Sequence, residues 1–132
     1  MGAAENKQII TNMFAELAKG NGAAFLDTMA DDVKYTLQGR TKFSGTMSGK
    51  QEVIGKLLGP LGAELDGGIA ITPYNFIAEG EFVVMLANGK AKTKTGKSYN
   101  NSYCHVFRIV GGKVAEINEY LDTALVDEAF GK

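Results

Sequence analysis

The chain holds a single histidine, and its spacing sets it close to a glutamate on the next strand. Residues 99–109 read Y-N-N-S-Y-C-H-V-F-R-I, and alternation puts Tyr99, Asn101, Tyr103, His105, Phe107 and Ile109 on one face. Residues 115–121 read A-E-I-N-E-Y-L, so Ala115, Ile117, Glu119 and Leu121 share a face. Between the runs, Val110-Gly111-Gly112-Lys113 signals the turn of an antiparallel hairpin. If both apolar faces look the same way, paired residues must have equal parity, which calls for a three- or five-residue loop rather than a two-residue one. A five-residue loop sets His105 directly opposite Glu119, and a three-residue loop sets it one pair away. Either way, an imidazole and a carboxylate face the interior together.

Buried ionisable groups are costly unless paired, and such pairs gather where protons are moved. A His–Glu pair in a half-buried sheet also serves as a plain structural hydrogen bond. The company of the pair tips the balance. Tyr99, Asn101 and Tyr103 add polar tips to an otherwise apolar stripe, the mixture of a hollow with a few convergent polar groups. There Glu119 is a candidate general base, and His105 either orients it or donates to a developing oxyanion. Tyr103, Asn101, Tyr35 and Asn88 are the candidates for positioning a substrate, with Phe107 and Ile117 as apolar neighbours.

Other chemistries lack their residues. The chain has no phosphate-cradling G-x-x-x-x-G-K-[ST] and no dinucleotide-type G-x-G-x-x-G between strand and helix. One His and one Cys cannot supply a structural zinc site, and nothing calls for a metal or cofactor. A serine triad is not set up, because Ser102 falls on the face opposite His105. Cys104 does too, so it reads as a small packed residue rather than a nucleophile.

Length and composition suit one soluble domain over residues 1–132: the chain is 45% hydrophobic and 22% charged. A net charge of −1 argues against a nucleic-acid or membrane-surface partner. Lys90, Lys92, Lys94 and Lys97 form a local basic run that reads as a solvated hairpin tip. The N-terminal M-G-A-A-E-N-K-Q is neither a secretory signal nor a myristoylation motif. No segment is apolar enough to span a bilayer, and the lone cysteine suits a reducing cytoplasm.

The elements that must hold the pair follow from periodicity. Ile9, Ile10, Met13, Phe14 and Leu17 predict a helix over 4–19, stopped by Gly20. Asn21 is placed to cap a helix over 21–30, and Val33, Tyr35 and Leu37 then alternate as a strand. A short strand is expected around Lys42–Ser44. Ser48 reads as the cap of a third helix over 49–58, limited by Pro60. From Gly68 the pattern turns to β: 69–78 with Pro73 at an edge or bulge, 81–92 apolar on both faces, then the hairpin. Residues 123–130 predict a short terminal helix. Helices first and antiparallel strands later give an α+β domain.

The order helix–helix–strand–helix–long strands, with A-D-D closing the second helix, resembles the nuclear transport factor two-like superfamily. The segment K-S-Y-N-N-S-Y-C-H-V-F-R-I-V-G-G-K-V-A-E-I-N-E-Y-L-D-T resembles its SnoaL-like branch, which includes polyketide cyclases. That resemblance implies a cone of helices packed on a strongly curved, mostly antiparallel sheet, enclosing an apolar pocket and often forming a homodimer. Glu119 falls where the cyclases and the related limonene epoxide hydrolase keep an acidic acid/base residue. His105 matches a pocket histidine of the cyclases. Met13 stands where ketosteroid isomerase has its oxyanion tyrosine, and Leu37 stands near its general base, so steroid isomerase chemistry is not implied. Leu86 and Asn88 stand where the epoxide hydrolase has its Arg and second Asp.

Two functions stand first, ahead of a third reading as a structural dimerisation domain without a ligand. One is proton transfer of the isomerase, cyclase or dehydratase type on a small apolar carbonyl compound. The alternative is a non-catalytic pocket for a small apolar metabolite. The outward sheet face, expected to carry Cys104, Val106, Val83, Met85 and Ala87, suits a homodimer unless the terminal helix folds over it.

Overall fold

The computed structural model describes residues 2–132. Helix α1 (Ala3–Ala18) buries Ile10, Met13 and Phe14 against the sheet. It ends in a Schellman motif: Gly20, at φ 93°, donates to Leu17 O, and Asn21 N–H donates to Glu16 O. The N-cap position of α2 (Ala23–Thr28) falls on Gly22 rather than Asn21, so no side chain caps this helix. This helix is shorter than the expected 21–30 because Met29 already enters strand β1 (Met29–Leu37). Asp31 and Asp32 lie exposed in that strand rather than closing a helix.

Strand β2 (Gly45–Ser48) follows the 42–44 segment that was expected to be strand. Gly49, at φ 88°, then precedes a helical stretch made of α3 (Lys50–Val53), a π turn (Ile54–Leu58) and α4 (Gly59–Glu64). Ser48 is not the side-chain cap; instead its backbone N–H donates to Glu52 Oε1 at 2.9 Å. Pro60 does not stop the helix either. It falls just after the π turn, whose wider ring has Gly59 N–H bonding Ile54 O, so the ladder is already interrupted where a proline would break it.

The strands β3 (Ala70–Glu79), β4 (Phe82–Lys90), β5 (Ser102–Val110) and β6 (Lys113–Leu121) complete one sheet in the order β2-β1-β6-β5-β4-β3. All neighbours are antiparallel except β1 and β6, so the fold is α+β with a mixed, mostly antiparallel sheet. Pro73 lies on the edge strand β3 at a break in register, where its missing N–H costs little. α5 (Thr123–Phe130) is capped by Asp122, whose Oδ1 accepts from Leu125 N–H at 3.3 Å. Among the described residues, no helix is long and apolar enough to cross a membrane.

Pairing corrects one expected surface. Val83, Met85 and Ala87 face the helices with the core, each at most 1% exposed, because Met85 pairs with His105 and paired residues share a face. The outward face carries Phe82, Val84, Leu86, Cys104 and Val106 instead.

Candidate functional site

The hairpin β5–β6 sets His105 directly across from Glu119. The turn is a two-residue Gly111-Gly112 pair at φ 59° and 80°, which suits a type I′ turn, and the chain corrects its parity by a break in register after Arg108. Ile109 pairs with Val114 and Arg108 with Glu116, leaving Ala115 as the extra residue. Val114 rather than Ala115 is therefore the fully buried residue at the start of β6.

The parallel neighbour β1 brings a third group. Leu37 is in register with Glu119 and Tyr35 with Ile117, so Tyr35 leans along the same face. Its phenol O–H donates to Glu119 Oε1. His105 Nε2 lies 3.4 Å from the same oxygen without the alignment of a hydrogen bond, and neither ring nitrogen has a partner among the described residues. Both contacts fall on Oε1, leaving Oε2 free of them.

Burial decides the protonation of these groups. It pushes the His105 pKa down from 6.5, and the nearby Glu119 carboxylate only partly opposes it, so the imidazole is neutral near pH 7. Desolvation, reinforced by the Glu119 charge, lifts the Tyr35 phenol well above 10. Burial also raises Tyr103 and Tyr99. Every phenol here stays protonated and available as a donor. The Tyr103 hydroxyl is buried beside that of Tyr99 without an aligned hydrogen bond, and its ring meets His105 edge-on at 5.7 Å.

These side chains line a cavity of about 340 Å³. Its walls are mostly apolar: Phe14, Phe25 and Phe43 with a run of leucines from the α3–α4 stretch. Among the described residues Glu119 is the one acidic residue lining it, and no lysine or arginine does. Among the described residues, no three His, Cys, Asp or Glu side chains converge to hold a metal ion.

Residues 10–117 match the SnoaL-like domain. The chain belongs to that family. An uncharacterized protein of Mycobacterium tuberculosis, Rv0034, is 21% identical over 122 residues, covering 92% of each chain. Among solved structures, an NTF2-like protein of unknown function from Burkholderia pseudomallei superposes with a TM-score of 0.84 at 22% identity, over 97% of this chain and 98% of that one. TerC, crystallised with polyporic acid, superposes with a TM-score of 0.81 at 21% identity, over 97% and 99%. These likenesses fix the fold, and the chemistry has to come from this SnoaL-like chain's own side chains.

Of the residues singled out in the sequence, Glu119, His105, Tyr103 and Tyr35 line the cavity together. Phe107 and Ile117 are buried behind them, Phe107 meeting Phe14 edge-on at 6.1 Å. Asn101 is buried but occupied. Its Nδ2 donates to Tyr99 Oη and to Asp122 O, and its Oδ1 accepts from Ser102 N–H and Asp122 N–H. It ties the start of β5 to the end of β6, and the strand begins only at Ser102. Asn88 pairs with Ser102 on the outward face and is exposed, so it does not reach the cavity. Among the lining residues the sequence did not single out are Phe43, Ile71, Leu61 and Leu65, the last two continuing Leu57 at four-residue spacing past Pro60.

Proposed function

We propose that this SnoaL-like protein binds a small, neutral, apolar carbonyl compound and transfers a proton at the carbon next to the carbonyl. Glu119 is the general base, taking the proton on Oε2. The unpartnered Tyr103 hydroxyl, with the neutral His105 beside it, donates to the oxygen that gains charge. Tyr35 holds Glu119 in place through Oε1. The enol that results is the shared intermediate of isomerisation, cyclisation and dehydration. The observation that carries this reading is a buried carboxylate, held at one oxygen, on the wall of an apolar cavity without a cation. The ligand in TerC supports a small-molecule role by analogy of fold alone.

The test is exchange of carbon-bound hydrogen for deuterium in a panel of neutral cyclic ketones, followed by NMR in D2O. Exchange by the native protein, lost by roughly a hundredfold or more in Glu119→Gln, is expected. Unchanged exchange in that variant removes Glu119 as the base. The second reading, a non-catalytic binding protein for a small apolar metabolite, draws on the Tyr35 bond, since a carboxylate already holding a donor is also a finished structural contact. Ketones that bind without any exchange would select it.

A further inference from the structure

The cavity has one wall unlike the others. Leu57, Leu58, Leu61, Gly62 and Leu65 line it from the stretch running through the π turn and α4. Both ends of that stretch are pinned. Val53 is fully buried at the start, and Gly49 N–H donates to Val33 O at 2.7 Å. At the far end Leu65 bridges Thr93, Asp66 N–H donates to Lys92 O, and Lys94 N–H donates to Glu64 O.

Between the pins the packing is thin. Leu57 in the π turn is buried, but no residue of α4 is, and among the described helices and strands only the π turn packs extensively on α4. Leu58 and Leu61 are only partly buried. Helix propensity is also poor, with Gly55, Gly59, Pro60 and Gly62 within eight residues of sequence. A π turn is an α-helix carrying one extra residue, so moving it along the chain turns a different leucine inward.

We infer that residues 54–64 form an adaptable wall that a neutral apolar ligand completes, with Leu58 and Leu61 setting the size of ligand accepted. The leucines that face the cavity without enough protein around them find their packing partner in the ligand. The opposite walls are fixed: Tyr35, His105 and Glu119 sit on paired strands, and α5 is held at its C-terminus by Lys42 Nζ on Phe130 O and Lys97 Nζ on Glu128 O. Motion on binding is thereby confined to one side, and the polar groups stay aimed. This rests on the small-molecule pocket proposed above but not on proton transfer.

The experiment uses N-phenyl-1-naphthylamine, a neutral apolar dye that brightens in dry pockets, with hydrogen exchange followed by mass spectrometry. Peptides within 54–64 are expected to exchange at least tenfold faster than β5 in the free protein and to slow several-fold with dye bound. Leu61→Trp should weaken the dye at least tenfold, while Leu61→Ala should admit a bulkier aryl-naphthylamine that the native protein refuses. Gly55→Ala, where an added Cβ meets nothing within 4 Å, should stiffen the wall and slow dye association several-fold. Dye binding with exchange at 54–64 unchanged, or association unaltered in Gly55→Ala, overturns the adaptable wall alone. Dye that stays dark with the native protein overturns the wall and the pocket together. Loss of ketone exchange in Glu119→Gln with dye binding intact bears only on the base.

Discussion

Tyr35 donates its phenol O–H to Glu119 across 84 residues of chain, from a strand that runs parallel to the one carrying the carboxylate. The pair is buried, so neither partner has water to fall back on. Hydrogen bonds to a charged group contribute about 1.5–3 kcal/mol. Tyr35→Phe should therefore lower unfolding free energy in urea by about that amount at pH 7. Tyr35→Phe combined with Glu119→Leu, which removes the acceptor that a glutamine would keep, should cost less than the sum of the single changes, because the two share one contact. Strict additivity would mean that the contact contributes nothing.

His105 gives stability a pH dependence whose sign follows from burial. Its pKa in the folded chain lies below the ordinary 6.5, while the unfolded chain titrates near it. As pH falls through about 6.5 the unfolded state takes up the proton first, so stability is lost with acidification. The loss levels off once folded His105 is protonated too. No other histidine contributes, since the chain has one. Denaturation of the native protein and His105→Gln between about pH 7.5 and 5.5 checks this: the native slope should be positive with pH and mostly absent in the variant. Equal slopes would place the imidazole in water.

Much of this site is legible in the sequence, and what is not has physical causes. Alternation alone put His105 and Glu119 on one face and allowed them to be directly paired. It could not tell a five-residue loop from a tight Gly111-Gly112 turn with Ala115 bulged, because both restore the same parity. The run F-V-V-M-L-A is apolar on both faces, so nothing local said that Met85 faces inward and Asn88 outward; only the pairing with β5 decides. The bond from Tyr35 depends on β1 lying parallel to β6, a long-range choice absent from local pattern. Pro60 misled because the π turn that accommodates it has no periodic signature.

Asn101 looks like a binding residue in the strand pattern but acts as a staple. It uses both amide ends on four partners, two of them backbone N–H groups. Asn101→Ala leaves the N–H groups of Ser102 and Asp122 short of an acceptor, at about 1–3 kcal/mol each when buried. A total loss of roughly 2–4 kcal/mol is expected in chemical denaturation. A loss below ~0.5 kcal/mol would mean the four bonds add little to stability and would reopen a ligand-binding role for Asn101.

The outward sheet face is the remaining unsatisfied surface, and we propose that a second copy of the chain covers it. Phe82 and Tyr120 are each 48% exposed and Ile77 is 52% exposed. Val84, Leu86, Cys104 and Val106 lie half-buried on the same face. The terminal helix does not protect it: α5 lies on the cavity side, where Val126 lines the pocket and Phe130 packs against Phe43 and Tyr99. A contiguous apolar face on so small a chain is a mark of association, and a specific dimer would bury on the order of 1,500 Å² in all. Light scattering at micromolar concentration should give about twice the 14.1 kDa chain mass. Val106→Arg puts a charge at the middle of the face and should return the protein to monomer with its circular dichroism unchanged. A native mass of one chain sinks the dimer, and a Val106→Arg protein that remains paired moves the interface to another surface.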